Sequence, residues 1–82
     1  MSGGPDIRAW VESMARRLVD RPEEVSVQMI DEDDAEVAEL TVAPDEMGRV
    51  IGRQGRTVQA LRALLDAAGE KHGQTYELEI LE

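Results

Sequence analysis

Two hydrophobic periodicities alternate along the chain. Ile7, Trp10, Val11, Met14 and Leu18 recur at helical spacing, while Arg8, Glu12, Arg16 and Asp20 fall on the other side. A first helix is therefore predicted to open at Pro5–Asp6. Pro22 disfavours helix at Arg21 and ends it. From Glu24 to Ile30 the period drops to two: Val25, Val27 and Met29 alternate with Ser26 and Gln28, as in a half-buried strand. Asp31-Glu32-Asp33-Asp34 is the expected turn. A second strand follows over Glu36 to Ala43, with Ala38, Leu40 and Val42 on one face and Val37, Glu39 and Thr41 on the other. Pro44-Asp45-Glu46-Met47 has the composition of a helix start, with Pro at the first turn and acids near the positive dipole end. Met47, Val50 and Ile51 supply one or two apolar turns. Val58, Leu61, Leu65 and Ala68 then define a longer helix, with Leu64 widening its stripe and Gly69 as its stop. Glu70 to Gln74 reads as a polar loop carrying the lone His72, expected exposed and idle. Thr75 to Leu81 is a last strand with Tyr76, Leu78 and Ile80 inward and Glu77 and Glu79 outward.

The order is helix–strand–strand–helix–helix–strand. Adjacent strands joined by a short turn pair antiparallel, whereas a two-helix crossover returns the third strand parallel to the second. The expectation is an α+β fold: one three-stranded mixed sheet with three helices on one face. Trp10 is expected to anchor its core.

Composition changes the picture in three ways. Eighty-two residues make one small domain, taken here as residues 5–82 after a disordered polar tail at 1–4. There is no cysteine and no apolar run near bilayer length, and no signal peptide is visible, so a cytoplasmic protein without disulfides is expected. The net charge of −9 argues against a general nucleic-acid binder. The charge is uneven, however. From Met47 to Leu65 there are four arginines and no acid, giving +4, and the remainder carries −13.

That basic window holds the chain's one chemically distinctive stretch, Gly48-Arg49-Val50-Ile51-Gly52-Arg53-Gln54-Gly55-Arg56. Glycine permits positive φ and close approach of another backbone. The loop opens onto a helix N-terminus, where unpaired N–H groups and the dipole favour a phosphate. It follows a helix rather than a strand and lacks Gly-Lys-Ser/Thr, so neither a Walker loop nor a dinucleotide fingerprint fits. The four carboxylates at 31–34 lack the spacing and glycine of an EF-hand loop and read as a solvated turn; no metal or cofactor is expected. With no cysteine, one loop histidine and acids at solvent-facing positions, nothing here suggests an enzyme.

Val50-Ile51-Gly52-Arg53-Gln54-Gly55 between two helices closely resembles the Gly-x-x-Gly signature of a KH domain, whose loop clamps a short run of single-stranded backbone. Over nearly its whole length the chain resembles small bacterial single-KH-domain RNA-binding proteins of the KhpA type. The resemblance implies the type II (bacterial) KH arrangement, order αββααβ. It implies roles by position. Gly52 and Gly55 permit the tight loop, Arg53 and Gln54 occupy its variable positions, and Arg49 and Arg56 add phosphate contacts. Val50, Ile51 and Val58 are candidates for the apolar groove floor, although Ile51 and Leu61 are expected mainly in the core. Gln54 departs from the basic residue frequent there, and Arg62 reads as a solvated helix residue. One Trp, one Tyr and no Phe are too few for a base-stacking platform.

The resemblance further implies single-stranded RNA as partner, a homodimer or a heterodimer with a larger KhpB-type KH protein, RNA chaperoning, and links to cell shape and division. Ala60, Ala63 and Ala67 along the long helix suit close helix pairing or plain helix propensity equally. A dimerisation or scaffold module with incidental RNA contact is the competing reading, and the acidic body favours it.

Overall fold

A computed structural model describes residues 5–82; the tail expected at 1–4 lies outside the described residues. Helix α1 spans Ile7–Leu18. Asp6 caps it, its Oδ1 accepting the Ala9 N–H at 3.0 Å. Arg16 and Arg17 complement the dipole in its last turn. The buried face is centred on Ile7, Val11 and Ala15. Trp10, Met14 and Leu18 pack only partly against the core, so Trp10 is a shoulder rather than the expected anchor.

The helix stops at Leu18, ahead of the expected boundary. Val19 is extended (φ −109°, ψ 162°) and buried. The next two backbone N–H groups, of Asp20 and Arg21, are taken by the Glu46 carboxylate, a partner brought in from 25 or 26 residues away. Pro22–Glu24 then forms a single 3₁₀ turn.

Strand β1 (Ser26–Glu32) and strand β2 (Ala35–Thr41) pair antiparallel, with Val27 opposite Leu40 and Met29 opposite Ala38. Both are displaced from the expected limits. Asp31 and Glu32 extend the ladder, and the turn narrows to Asp33–Asp34, where Asp33 adopts φ 51°. Asp tolerates that left-handed conformation better than most residues.

After a 3₁₀ turn at Pro44–Glu46 come helix α2 (Met47–Ile51), a second tight turn at Arg53–Gly55 and helix α3 (Arg56–His72). Strand β3 (Thr75–Ile80) lies parallel to β2, so the sheet order is β1-β2-β3 with β2 central. The expected α+β fold, order αββααβ, is the one observed. Val27, Ala38, Leu40, Val42, Tyr76 and Leu78 from the sheet meet Val11, Val50, Val58, Leu61 and Leu65 from the helices in one core. On the opposite sheet face Val37 is buried and Glu39 lies beside Glu79 in register.

Gly69 does not end the long helix. Helix α3 continues one turn to His72 and is closed by Gly73, at φ 68° in the left-handed region. Gly69 is buried because the chain folds back over it: Gln74 N–H donates to its carbonyl at 2.9 Å, and the Gln74 carbonyl crosses the position a Cβ would fill. The loop expected over 70–74 thus shrinks to Gly73 and Gln74, and the exposed His72 belongs to the last helical turn.

Candidate nucleic-acid interface

The loop between α2 and α3 is built from three positive-φ residues. Gly52 ends α2 at φ 80°, ψ 168°, a conformation essentially confined to glycine. Gln54 (φ 57°, ψ 26°) and Gly55 (φ 73°, ψ 13°) follow in the left-handed region. Two backbone bonds close the turn, from Gly52 N–H to the Gly48 carbonyl at 2.8 Å and from Gly55 N–H to the Gly52 carbonyl at 3.0 Å. Glycines were legible at both ends of this loop. The left-handed turn at Gln54 was not, because a non-glycine residue there carries no compositional mark.

Gly55 is the N-cap of α3 and supplies no side-chain acceptor. The first N–H groups of a 17-residue helix are therefore left without a capping side chain, beside a loop whose backbone a ligand can approach closely. Arg53 and Arg56 flank this point. Both are exposed, and neither meets a carboxylate among the described residues.

The other two arginines of the basic window do different work. Arg49 Nη2 lies 2.9 Å from Asp20 Oδ2, and its Nε is 3.8 Å from Glu46 Oε2. Arg62 is not simply solvated: its Nη2 and Nε donate to the Leu78 carbonyl at 3.1 and 3.4 Å, bracing α3 against the edge strand β3. The local charge of +4 divides into a free pair at the loop, one cation paired internally and one structural cation.

The apolar candidates divide too. Val50 and Val58 lie in the core beneath the loop, as does Leu61. Ile51, expected mainly as core, is 36% exposed next to Gly52 and is the apolar side chain the surface retains there. On a helix of five residues one neighbour of a buried position must face out, and Val50 takes the inward one.

Glu46 was not anticipated. Read as a dipole-complementing surface acid, it is only 5% exposed and accepts the Asp20 N–H at 2.5 Å and the Arg21 N–H at 3.1 Å. It thereby ties the end of α1 to the start of α2. Arg21 reinforces the junction by bonding Asp45; Asp45 is the main cause holding its guanidinium above its ordinary pKa, against some desolvation, with Glu46 and Glu24 adding to the rise. A long-range carboxylate of this kind has no periodic signature, so sequence pattern could not find it.

A short helix, a Gly-x-x-Gly turn and a long helix packed on a β1-β2-β3 sheet define a KH domain. Comparison with known proteins agrees. A family model described as "KhpA/KhpB, KH domain" matches residues 8–80. The chain is 49% identical over 72 residues to the RNA-binding protein KhpA of Aquifex aeolicus, covering 88% of this chain and 91% of that one. It is 42% identical over 76 residues to the RNA-binding protein KhpA of Halalkalibacterium halodurans, covering 93% of this chain and all of that one. The chain belongs to the KhpA/KhpB KH-domain family.

Proposed function

We propose that this protein is a non-catalytic, single-stranded RNA-binding module that clamps a short run of RNA backbone with the Gly52-Arg53-Gln54-Gly55 loop. The observation that carries the reading is the coincidence, at one place, of an α3 N-terminus without a capping side chain, a glycine-bounded turn and two arginines with no acidic partner among the described residues. Phosphate is the ligand class that uses all three. The names of the relatives, RNA-binding protein KhpA, favour RNA as the source of that phosphate. Ile51 offers an apolar surface for a base or sugar beside the loop, and Val50 and Val58 support it from below. Arg53 and Arg56 are the principal phosphate contacts. The role is that of a cytoplasmic RNA chaperone or regulator.

A single KH domain binds few nucleotides, so pairing with a second module raises effective affinity. The α3 surface suits it. Ala60, Ala63 and Ala67 are exposed along one flank, and Leu64 beside them is 53% exposed over a cleft edged by Trp10 and Ala68. A second copy or a KhpB-type KH protein is the proposed occupant. The scaffold reading draws on the same surface and makes RNA contact incidental.

Fluorescence anisotropy with a short labelled single-stranded RNA over a salt series tests the proposal. Contact with roughly two to four phosphates predicts a log–log salt slope of about −1.4 to −2.8. The double change Arg53→Asp plus Gln54→Asp, folded by circular dichroism, is expected to abolish binding. Binding that survives it, or none in the wild type, would sink the clamp and favour the scaffold. Ala63→Glu is expected to dissociate any self-association seen by sedimentation while leaving the fold intact.

A further inference from the structure

Arg49 sits one residue before Val50 and in the last turn of α2, whose C-terminal cap is Gly52. Gly52 lies three residues on, about 4.5 Å along the helix axis, a span that an arginine side chain covers when it turns toward the loop. In the structure that guanidinium is engaged elsewhere, its Nη2 2.9 Å from Asp20 Oδ2 and its Nε, more loosely, 3.8 Å from Glu46 Oε2. The pair is open to water, with the Arg49 and Asp20 side chains 55% and 71% exposed.

The placement of Asp20 is built rather than incidental. Its backbone N–H is held at 2.5 Å by Glu46, the next N–H is held at 3.1 Å by the same carboxylate, and Glu46 lies three residues before Arg49. The buried carboxylate fixes the end of α1 against the segment that carries Arg49. Those bonds hold the Asp20 backbone beside α2, where its exposed side chain meets Arg49.

We propose that Asp20 is an internal competitor for the RNA backbone: its carboxylate occupies the Arg49 guanidinium that a bound phosphate would otherwise take, and so sets the affinity of the loop. The inference rests on the RNA-binding reading above. An exposed ion pair of this kind holds its partner by a factor of about five at most. That is weak enough for RNA to displace it and large enough to measure. Asp20 is thus an affinity-setting residue that touches no RNA itself.

The test is anisotropy with a short labelled oligouridine over a salt series, using Asp20→Asn and, because an asparagine can still accept from Arg49, Asp20→Ala. Glu32→Gln makes the same charge change at the far end of the β1–β2 hairpin and serves as the control for mean field. The Asp20 variants are expected to bind about two- to fivefold tighter than wild type. Their salt slope should steepen by about 0.7, the increment for one further phosphate on a single strand. Glu32→Gln should change affinity less and leave the slope unaltered. Adding Arg49→Gln to Asp20→Ala should return the slope to the wild-type value. If both Asp20 variants match Glu32→Gln in affinity and slope, the proposal is overturned and Arg49 is only a brace between α1 and α2. Wild-type binding indifferent to the loop double variant would remove the RNA reading and this inference with it. Loop-dependent binding with an unchanged Asp20 slope would remove this inference alone.

Discussion

Gly52 and Thr57 pack so closely across the loop that a Cβ on Gly52 would lie 2.8 Å from the Thr57 backbone nitrogen and would also meet the Thr57 side chain. Gly52 additionally holds a glycine-only backbone conformation. Gly52→Ala is therefore expected to destabilise by about 1–3 kcal/mol in urea unfolding, the range for forced backbone strain. Gly55 is left-handed with only the end of Gln59 nearby, so Gly55→Asn is expected to stay within about 1 kcal/mol of wild type. Equal losses at the two glycines would contradict the steric distinction.

Glycine to alanine inside a helix ordinarily stabilises by about 1 kcal/mol. At Gly69 the sign should invert, because the new methyl meets the Gln74 backbone carbonyl, which cannot rotate aside. A loss of about 1–3 kcal/mol is expected, as for overpacking elsewhere. Gly48, also helical, has nothing within 4 Å of its Cβ position, and Gly48→Ala should gain about 0.5–1 kcal/mol. Thermal unfolding of the two variants side by side checks both signs.

Replacing Glu46 by alanine strands two backbone donors at the α1–β1 junction, those of Asp20 and Arg21. Both bonds are part-buried, and a hydrogen bond to a charged group contributes about 1.5–3 kcal/mol, so a loss of about 2 kcal/mol is expected. Glu46→Gln retains an acceptor oxygen and should lose less. A Glu46→Ala protein with an unchanged melting temperature would show that the junction holds without it.

Arg56 and Arg62 lie on the same helix, yet their substitutions should separate by assay. Arg56→Gln is expected to flatten the RNA salt slope by about 0.7 with little change in stability. Arg62→Gln removes the donors to the Leu78 carbonyl and should lower stability by about 0.5–1.5 kcal/mol without touching the slope. Salt-series anisotropy and urea unfolding on both proteins resolve the two roles.

Much of the molecule was legible because its signals are local and periodic. The inward sets Val25–Val27–Met29, Ala38–Leu40–Val42 and Tyr76–Leu78–Ile80 follow from a period of two, and the antiparallel and parallel pairings follow from the lengths of their connections. The glycines at 52 and 55 announced a tight turn. Two misreadings share one cause: α1 stops at Leu18 and Arg62 bonds a strand because of atoms distant in sequence. The other two are local: Ile51 is the outward neighbour of buried Val50, and Gly69 lies within α3 because the helix runs on to Gly73.

The sequence by itself determined the element order, the sheet pairing and the position of the loop, since each depends on short-range periodicity, turn composition and connection length. Only the tertiary structure decided which arginines are free. Arg49, Arg53, Arg56 and Arg62 are chemically alike along the chain. Folding brings Asp20 and Glu46 to the first and the Leu78 carbonyl to the last, and leaves the middle two at the uncapped start of α3. A guanidinium's availability is set by which acceptors the fold places within about 3 Å of it, and that is a property of the packed chain rather than of its order.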